Sequence, residues 1–155
     1  MLEENQTAPD FTAVDQDGEQ LSLGQFKGDR HVVLYFYPKD DTPGCTTEAT
    51  EFTALIEKFA AAEAVVLGVS KDSCEKHRKF IAKHGLEVRL LADTDGELCE
   101  LYGTWGLRKF MGREYMGIGR STFVIDKQGK LAHVDYKVKA KGHAGAILEI
   151  VQGLA

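Results

Sequence analysis

Apolar and polar positions alternate along the chain in short blocks whose period changes repeatedly between strand-like and helix-like. FTAVDQDGEQLSL (Phe11–Leu23) places two brief alternating stretches around an Asp-Gly turn, which predicts an N-terminal hairpin. HVVLYFY (His31–Tyr37) is an unbroken β-branched and aromatic run, the pattern of a strand covered on both faces. Within Glu48–Ala62, residues Phe52, Leu55, Ile56 and Phe59 recur at helical spacing. A second apolar run, Val65–Ser70, precedes a helix over Asp72–His84. That helix follows a Ser/Asp cap signal and carries Cys74, Phe80 and Ile81 on one face. Leu90–Ala92 then predicts a short strand and Glu97–Tyr102 a short helix. Ser121–Asp126 and Leu131–Tyr136 flank the turn KQGK and predict an antiparallel hairpin, and a last helix runs from His143 to Val151.

Strand, helix, strand, helix, then a hairpin and a helix imply an α/β fold: a central mixed sheet with helices on both faces. The order is compatible with a thioredoxin-like layout, although pattern alone does not separate that from other α/β sandwiches. No repeat, low-complexity tract or Pro/Gly/Ser-rich linker interrupts residues 1–155, so a single domain is expected.

Composition narrows the function. The chain is 43% hydrophobic and 28% charged, ordinary for a globular protein. A net charge of -5 gives no basic surface for nucleic acid. The longest apolar runs are too short to span a bilayer, and the acidic start MLEENQTAPDF does not read as a secretory signal. Three well-separated cysteines do not make a disulfide framework, so a reducing cytoplasmic setting is expected. No C-x-x-C or H-E-x-x-H spacing supports a metal site. DQDG and DTDG lack the remaining ligands of a calcium loop and read as turns. The glycines of Gly112–Gly119 form no nucleotide fingerprint, and Trp105, Tyr102 and Phe110 are expected to cover the core.

The chemistry gathers at YFYPKDDTPGCTTEAT (Tyr35–Thr50). Thr42 or a neighbour can cap a helix and Pro43 suits its first turn, so Cys45 falls where free N–H groups and the positive end of the macrodipole lie. Such a position favours thiolate over thiol. Pro38 and Pro43 bracket the loop and restrict it. A small cysteine buried beside a turn is the plain alternative; strand, prolines, threonine and helix start together favour a reactive thiol.

Pro38, Thr42 and Cys45 match the P-x-x-x-T-x-x-C signature, and the chain resembles the peroxiredoxins. YFYPKDDTPGCTTEA resembles their bacterioferritin-comigratory, or peroxiredoxin Q, branch. APDF, GVSKDS (Gly68–Ser73), YMGIGRSTFVID (Tyr115–Asp126) and KVKAKGHA (Lys137–Ala144) extend the likeness over nearly the whole chain. The resemblance implies a thioredoxin-like fold and a thiol-dependent peroxidase that needs no metal or organic cofactor. It casts Cys45 as the peroxidatic nucleophile, which becomes a sulfenic acid. Thr42 would hold the peroxide, Pro38 would shield the sulfur, and Arg120 would stabilise thiolate and the breaking O–O bond. Backbone N–H groups around Gly44 and Cys45 would complete the anion pocket. Glu48 would orient Arg120, its plain alternative being a solvated carboxylate at a helix start. Substrates would be hydrogen peroxide and organic hydroperoxides, the reductant thioredoxin or a similar thiol, and the protein a monomer without membrane or nucleic-acid partners.

Members of this branch often carry a resolving cysteine five residues after the nucleophile, where this chain has Thr50, or near the position of Ile81. Cys74 remains as the candidate resolver, two turns before Ile81, with Cys99 of ELCELYG a weaker one. A one-cysteine cycle with an external thiol is the alternative. Two other functions compete. A disulfide oxidoreductase lacks its C-x-x-C, whereas a peroxide sensor or holdase could use the same oxidisable cysteine without turnover.

Overall fold

The computed structural model describes residues 1–154; Ala155, the end of the expected domain, lies outside them. Chain order is β1 (Thr12–Val14), β2 (Gln20–Ser22), β3 (His31–Phe36), α1 (Pro43–Ala54), α2 (Ile56–Ala61), β4 (Ala64–Ser70), α3 (Cys74–His84) and β5 (Arg89–Ala92). Then come α4 (Glu97–Leu101), β6 (Trp105–Phe110), β7 (Arg113–Ile118), β8 (Ser121–Ile125), β9 (Leu131–Asp135) and α5 (His143–Gln152).

Five strands form the main sheet in the order β5-β4-β3-β8-β9. β4 runs parallel to both β3 and β5, joined through helical crossovers, whereas β8 pairs antiparallel with β3 and β9. The sheet is therefore mixed, as the order of apolar blocks implies. All six residues of β3 are buried, and alternation sends them to opposite layers. Val33, Tyr35 and Tyr37 face a cluster with Phe52 of α1, Phe59 of α2, Phe80 of α3 and Ile147 of α5. Val32, Leu34 and Phe36 face Phe11, Leu21, Leu98 and Tyr102, under β1, β2 and α4. Burying each such side chain stabilises the fold by roughly 1.5–3 kcal/mol.

Two expectations need correction. The helix expected over Glu48–Ala62 is two helices, because Leu55 leaves helical geometry at φ -106, ψ 6 between α1 and α2. Residues 105–118, left without an element by the sequence pattern, form a separate two-stranded hairpin of β6 and β7 in register Trp105↔Ile118 to Phe110↔Arg113. Phe110 sits on it 65% exposed rather than covering the core, while Tyr102 is fully buried and Trp105 is partly buried against it. This hairpin leads through Gly119 directly to Arg120. Among the described residues no helix is long and apolar enough to cross a membrane.

Candidate active site

The site forms where β3 ends and α1 begins. Pro38 and Lys39 are exposed, Asp40 is buried, and Thr42 takes an extended conformation (φ -97, ψ 156) as the residue before α1. Pro43 occupies the first turn, where its missing N–H costs nothing. The Thr42 carbonyl accepts from the Thr46 N–H at 2.8 Å. The Thr42 hydroxyl does not cap the helix; it donates to the Lys39 carbonyl at 2.9 Å. That bond uses its proton and leaves oxygen lone pairs available to accept.

Cys45 lies in the first turn of α1 and is only 2% exposed. The sulfur is not enclosed by hydrocarbon alone, for Arg120 Nη2 donates to Cys45 Sγ at 3.3 Å. The same guanidinium donates through Nη1 to Glu48 Oε1 at 2.7 Å, so one planar fork joins carboxylate and sulfur. Burial works against the charge of Arg120, yet Glu48 and Cys45 outweigh it and hold the group protonated above its usual range. Glu48 is completely buried one turn after Cys45 on α1. Desolvation pushes its carboxyl up to about 7, against the pull of Arg120. Its plain alternative, a solvated helix-start carboxylate, does not hold.

Gly44 admits the arginine. A Cβ there would lie 3.0 Å from Arg120 Nη2, so any side chain would press on the guanidinium. Behind the site, Tyr35 stacks on Phe52 with centroids 4.7 Å apart and covers Gly68, where a Cβ would sit 2.7 Å from the tyrosine ring. Burial drives the Tyr35 hydroxyl well above the usual phenol range.

The structure thus brings Cys45, Arg120 and Glu48 into contact across 75 and 72 residues of sequence, with Pro38 and Thr42 in the adjoining loop. The other cysteines stand outside these contacts. Cys74 opens α3 partly exposed, its thiol donating to the Asp15 carbonyl at 3.3 Å. Cys99 is fully buried; desolvation and Asp93 push its thiol far up, which suits an inert packing residue. All three cysteines are free, and among the described residues no cluster of His, Cys, Asp or Glu could hold a metal ion. Sequence reasoning missed the buried partners of the loop, Tyr37, Asp40 and His77. The only advance signal was that a carboxylate in the loop and a histidine on the apolar face of an amphipathic helix need partners once buried.

Residues 5–134 match the AhpC/TSA family. The chain is 48% identical over 154 residues to the peroxiredoxin Bcp of Bacillus subtilis, covering 99% of this chain and 98% of that one. Against the Escherichia coli K12 peroxiredoxin Bcp the identity is 43% over 147 residues, 95% and 94% of the two chains. The fold superposes on a cysteine-to-serine mutant of Xylella fastidiosa PrxQ with TM-score 0.92 and 32% identity, covering 99% and 97% of the chains. It also superposes on the Xanthomonas campestris bacterioferritin comigratory protein, studied for alkyl peroxide reduction. There the TM-score is 0.86 and the identity 38%, over 92% and 90%. A thiol-bearing helix start on a thioredoxin-like sheet, and likeness of this extent, lead to one conclusion: the chain belongs to the AhpC/TSA family and is a thiol-dependent peroxidase of its Bcp/peroxiredoxin Q branch.

Proposed function

We propose that Cys45 performs the peroxidase reaction, with Arg120, Thr42 and Pro38 around it and Glu48 behind Arg120. The observation that carries this reading is the forked guanidinium, one nitrogen on Cys45 Sγ and the other on Glu48 Oε1. The thiolate attacks the near oxygen of a hydrogen peroxide or organic hydroperoxide. An S–O bond forms as the O–O bond breaks, leaving Cys45 sulfenic acid and an alkoxide or hydroxide that takes a proton and departs as alcohol or water. Negative charge moves from sulfur to the leaving oxygen, and a fixed guanidinium beside that path lowers the barrier. The lone pairs of the Thr42 hydroxyl accept from the peroxide O–H, which orients it for in-line attack. The free N–H groups of the first turn of α1 add positive potential.

A thiol closes the cycle: it condenses with the sulfenic acid, releasing water, and a second thiol reduces the disulfide. We assign Cys74 as the resolving thiol in preference to Cys99, because it is partly exposed at a helix start whereas Cys99 is enclosed. Their union would bring the two Cα atoms within about 7 Å. Intact mass after oxidation separates a Cys45–Cys74 disulfide from a lone sulfenic acid. The reductant is thioredoxin or a similar dithiol, and the protein works as one 155-residue domain, a monomer in the cytoplasm, whose oligomeric state sedimentation velocity reads directly. The decisive experiment follows peroxide consumption with a thioredoxin system. Cys45→Ser is expected to abolish it, and persistence of turnover in that variant would overturn the assignment.

A further inference from the structure

The side chains of the loop between β3 and α1 turn toward α3, and one of them makes an enclosed polar contact. The Tyr37 hydroxyl donates to Asp40 Oδ1 at 2.6 Å. Asp40 Oδ2 lies 2.7 Å from His77 Nδ1 on α3, and His77 Nε2 lies 2.9 Å from the Leu91 carbonyl on β5. His77 is fully buried and Asp40 nearly so. A carbonyl oxygen has no proton to give, so Nε2 carries a hydrogen. Oδ1 of Asp40 already accepts from Tyr37, which favours the carboxylate form, so Nδ1 donates to Oδ2.

A buried polar contact of this kind seldom stabilises a fold more than apolar side chains of the same shape would. What it can supply is a fixed geometry. The other ties between loop and α3 are weaker: Asp41 accepts from Lys83 Nζ at 2.7 Å and from His84 Nε2 at 2.8 Å, in exposed positions. The Asp40 N–H donates to Asp72 Oδ2 at 2.8 Å, just before α3.

We propose that His77 is a positioning residue for the peroxidase reaction, acting through Asp40 to fix the loop that ends in Thr42 and the first turn of α1. This rests on the reading of Cys45 as the nucleophile. The competing role is purely architectural, with His77 tying α3 to β5 through the Leu91 carbonyl. The two roles use different ring nitrogens and can be separated. The amide nitrogen of asparagine reaches where Nδ1 stands, and that of glutamine reaches where Nε2 stands. His77→Asn keeps the donor to Asp40 and loses the one to Leu91; His77→Gln does the reverse.

The measurement is the stopped-flow rate of Cys45 oxidation by hydrogen peroxide, with thermal unfolding of the same proteins alongside. A positioning role predicts that His77→Asn keeps the larger part of the rate, whereas His77→Gln slows by about tenfold or more, a barrier change of about 1.4 kcal/mol. Asp40→Asn should slow the reaction similarly, and adding His77→Gln to it should slow it no further. Equal rates in the two His77 variants, or a fast Gln and a slow Asn, would overturn the proposal. If neither variant folds, Asp40→Asn alone decides: a slowed oxidation of Cys45 is expected, and a rate equal to that of the wild type overturns the proposal. Activity surviving Cys45→Ser would instead defeat the nucleophile assignment, a result distinguishable from an unchanged Cys45-dependent rate across the His77 series.

Discussion

Glu48 shows how a single side chain couples the fold to acidity. Its carboxyl is pushed up to about 7 by burial, so the folded protein holds this proton at pH values where the unfolded chain, near 4.5, has released it. Stability from this source is complete below about 4.5 and is lost as pH rises through 7. Relative to Glu48→Gln, the wild type should lose on the order of 2 kcal/mol between those limits. Urea midpoints of both proteins at pH 5 and pH 8 measure it, and parallel pH dependence of the two would contradict it. A cost of this sign is expected for a group kept for its hold on Arg120 rather than for stability.

At the scale of elements, α3 is both the floor under the active-site loop and the carrier of Cys74. Ser73 caps it, accepting from the Lys76 N–H at 3.2 Å, and Gly85 ends it in left-handed geometry at φ 62. Ser73→Ala should cost about 1 kcal/mol, read from the denaturation midpoint, and an unchanged midpoint would mean that the cap is idle. Helix α3 was legible in the sequence, as were the strands of the main sheet, because burial imposes on them either a period or an unbroken apolar run. The β6–β7 hairpin was not, since Leu107, Phe110, Met111, Tyr115 and Met116 are exposed and obey no inside–outside alternation. The break at Leu55 carries no proline or glycine to announce it. Cys45 could be singled out from its neighbours alone, because strand end, proline and helix start are local signals. Arg120 could not; it meets Cys45 from 75 residues away, and only the resemblance to a family pointed to it. Asp40 and His77 could not be paired for the same reason, being partners across 37 residues.

For the molecule as a whole, the two faces of the sheet carry different duties. The layer with α1, α2, α3 and α5 holds Cys45, while the layer under β1, β2 and α4 holds the enclosed Cys99. His143, at the start of α5, joins that helix to β8 by its 2.8 Å contact with Thr122 Oγ1 and packs edge-on to Phe52. Desolvation lowers it to about 4, so it stays neutral in the fold. The unfolded chain binds this proton first, so the associated stability is present above about 6.5 and is lost as pH falls through 4. His143→Gln should therefore flatten the acid limb of the stability curve by roughly 2–3 kcal/mol, measured by chemical denaturation from pH 7 to pH 4. The wild-type curve carries opposite slopes from Glu48 and His143 in overlapping windows, and the variants are what separate them.

If Cys45 is the nucleophile, its depth also imposes a sequence of events on every turnover. With 2% of the residue exposed, Cys45 leaves room for something as slender as a peroxide but not for the blunt face of another protein. With Cys45 as the nucleophile proposed above, the oxidised atom would have to surface, by fraying of the first turn of α1, before a macromolecular thiol could deliver electrons to it. Entry of oxidant and arrival of reductant thus pass through different shapes of the same helix. A change that loosens the first turn of α1 would then favour the meeting with reductant at the expense of the pocket that receives the oxidant.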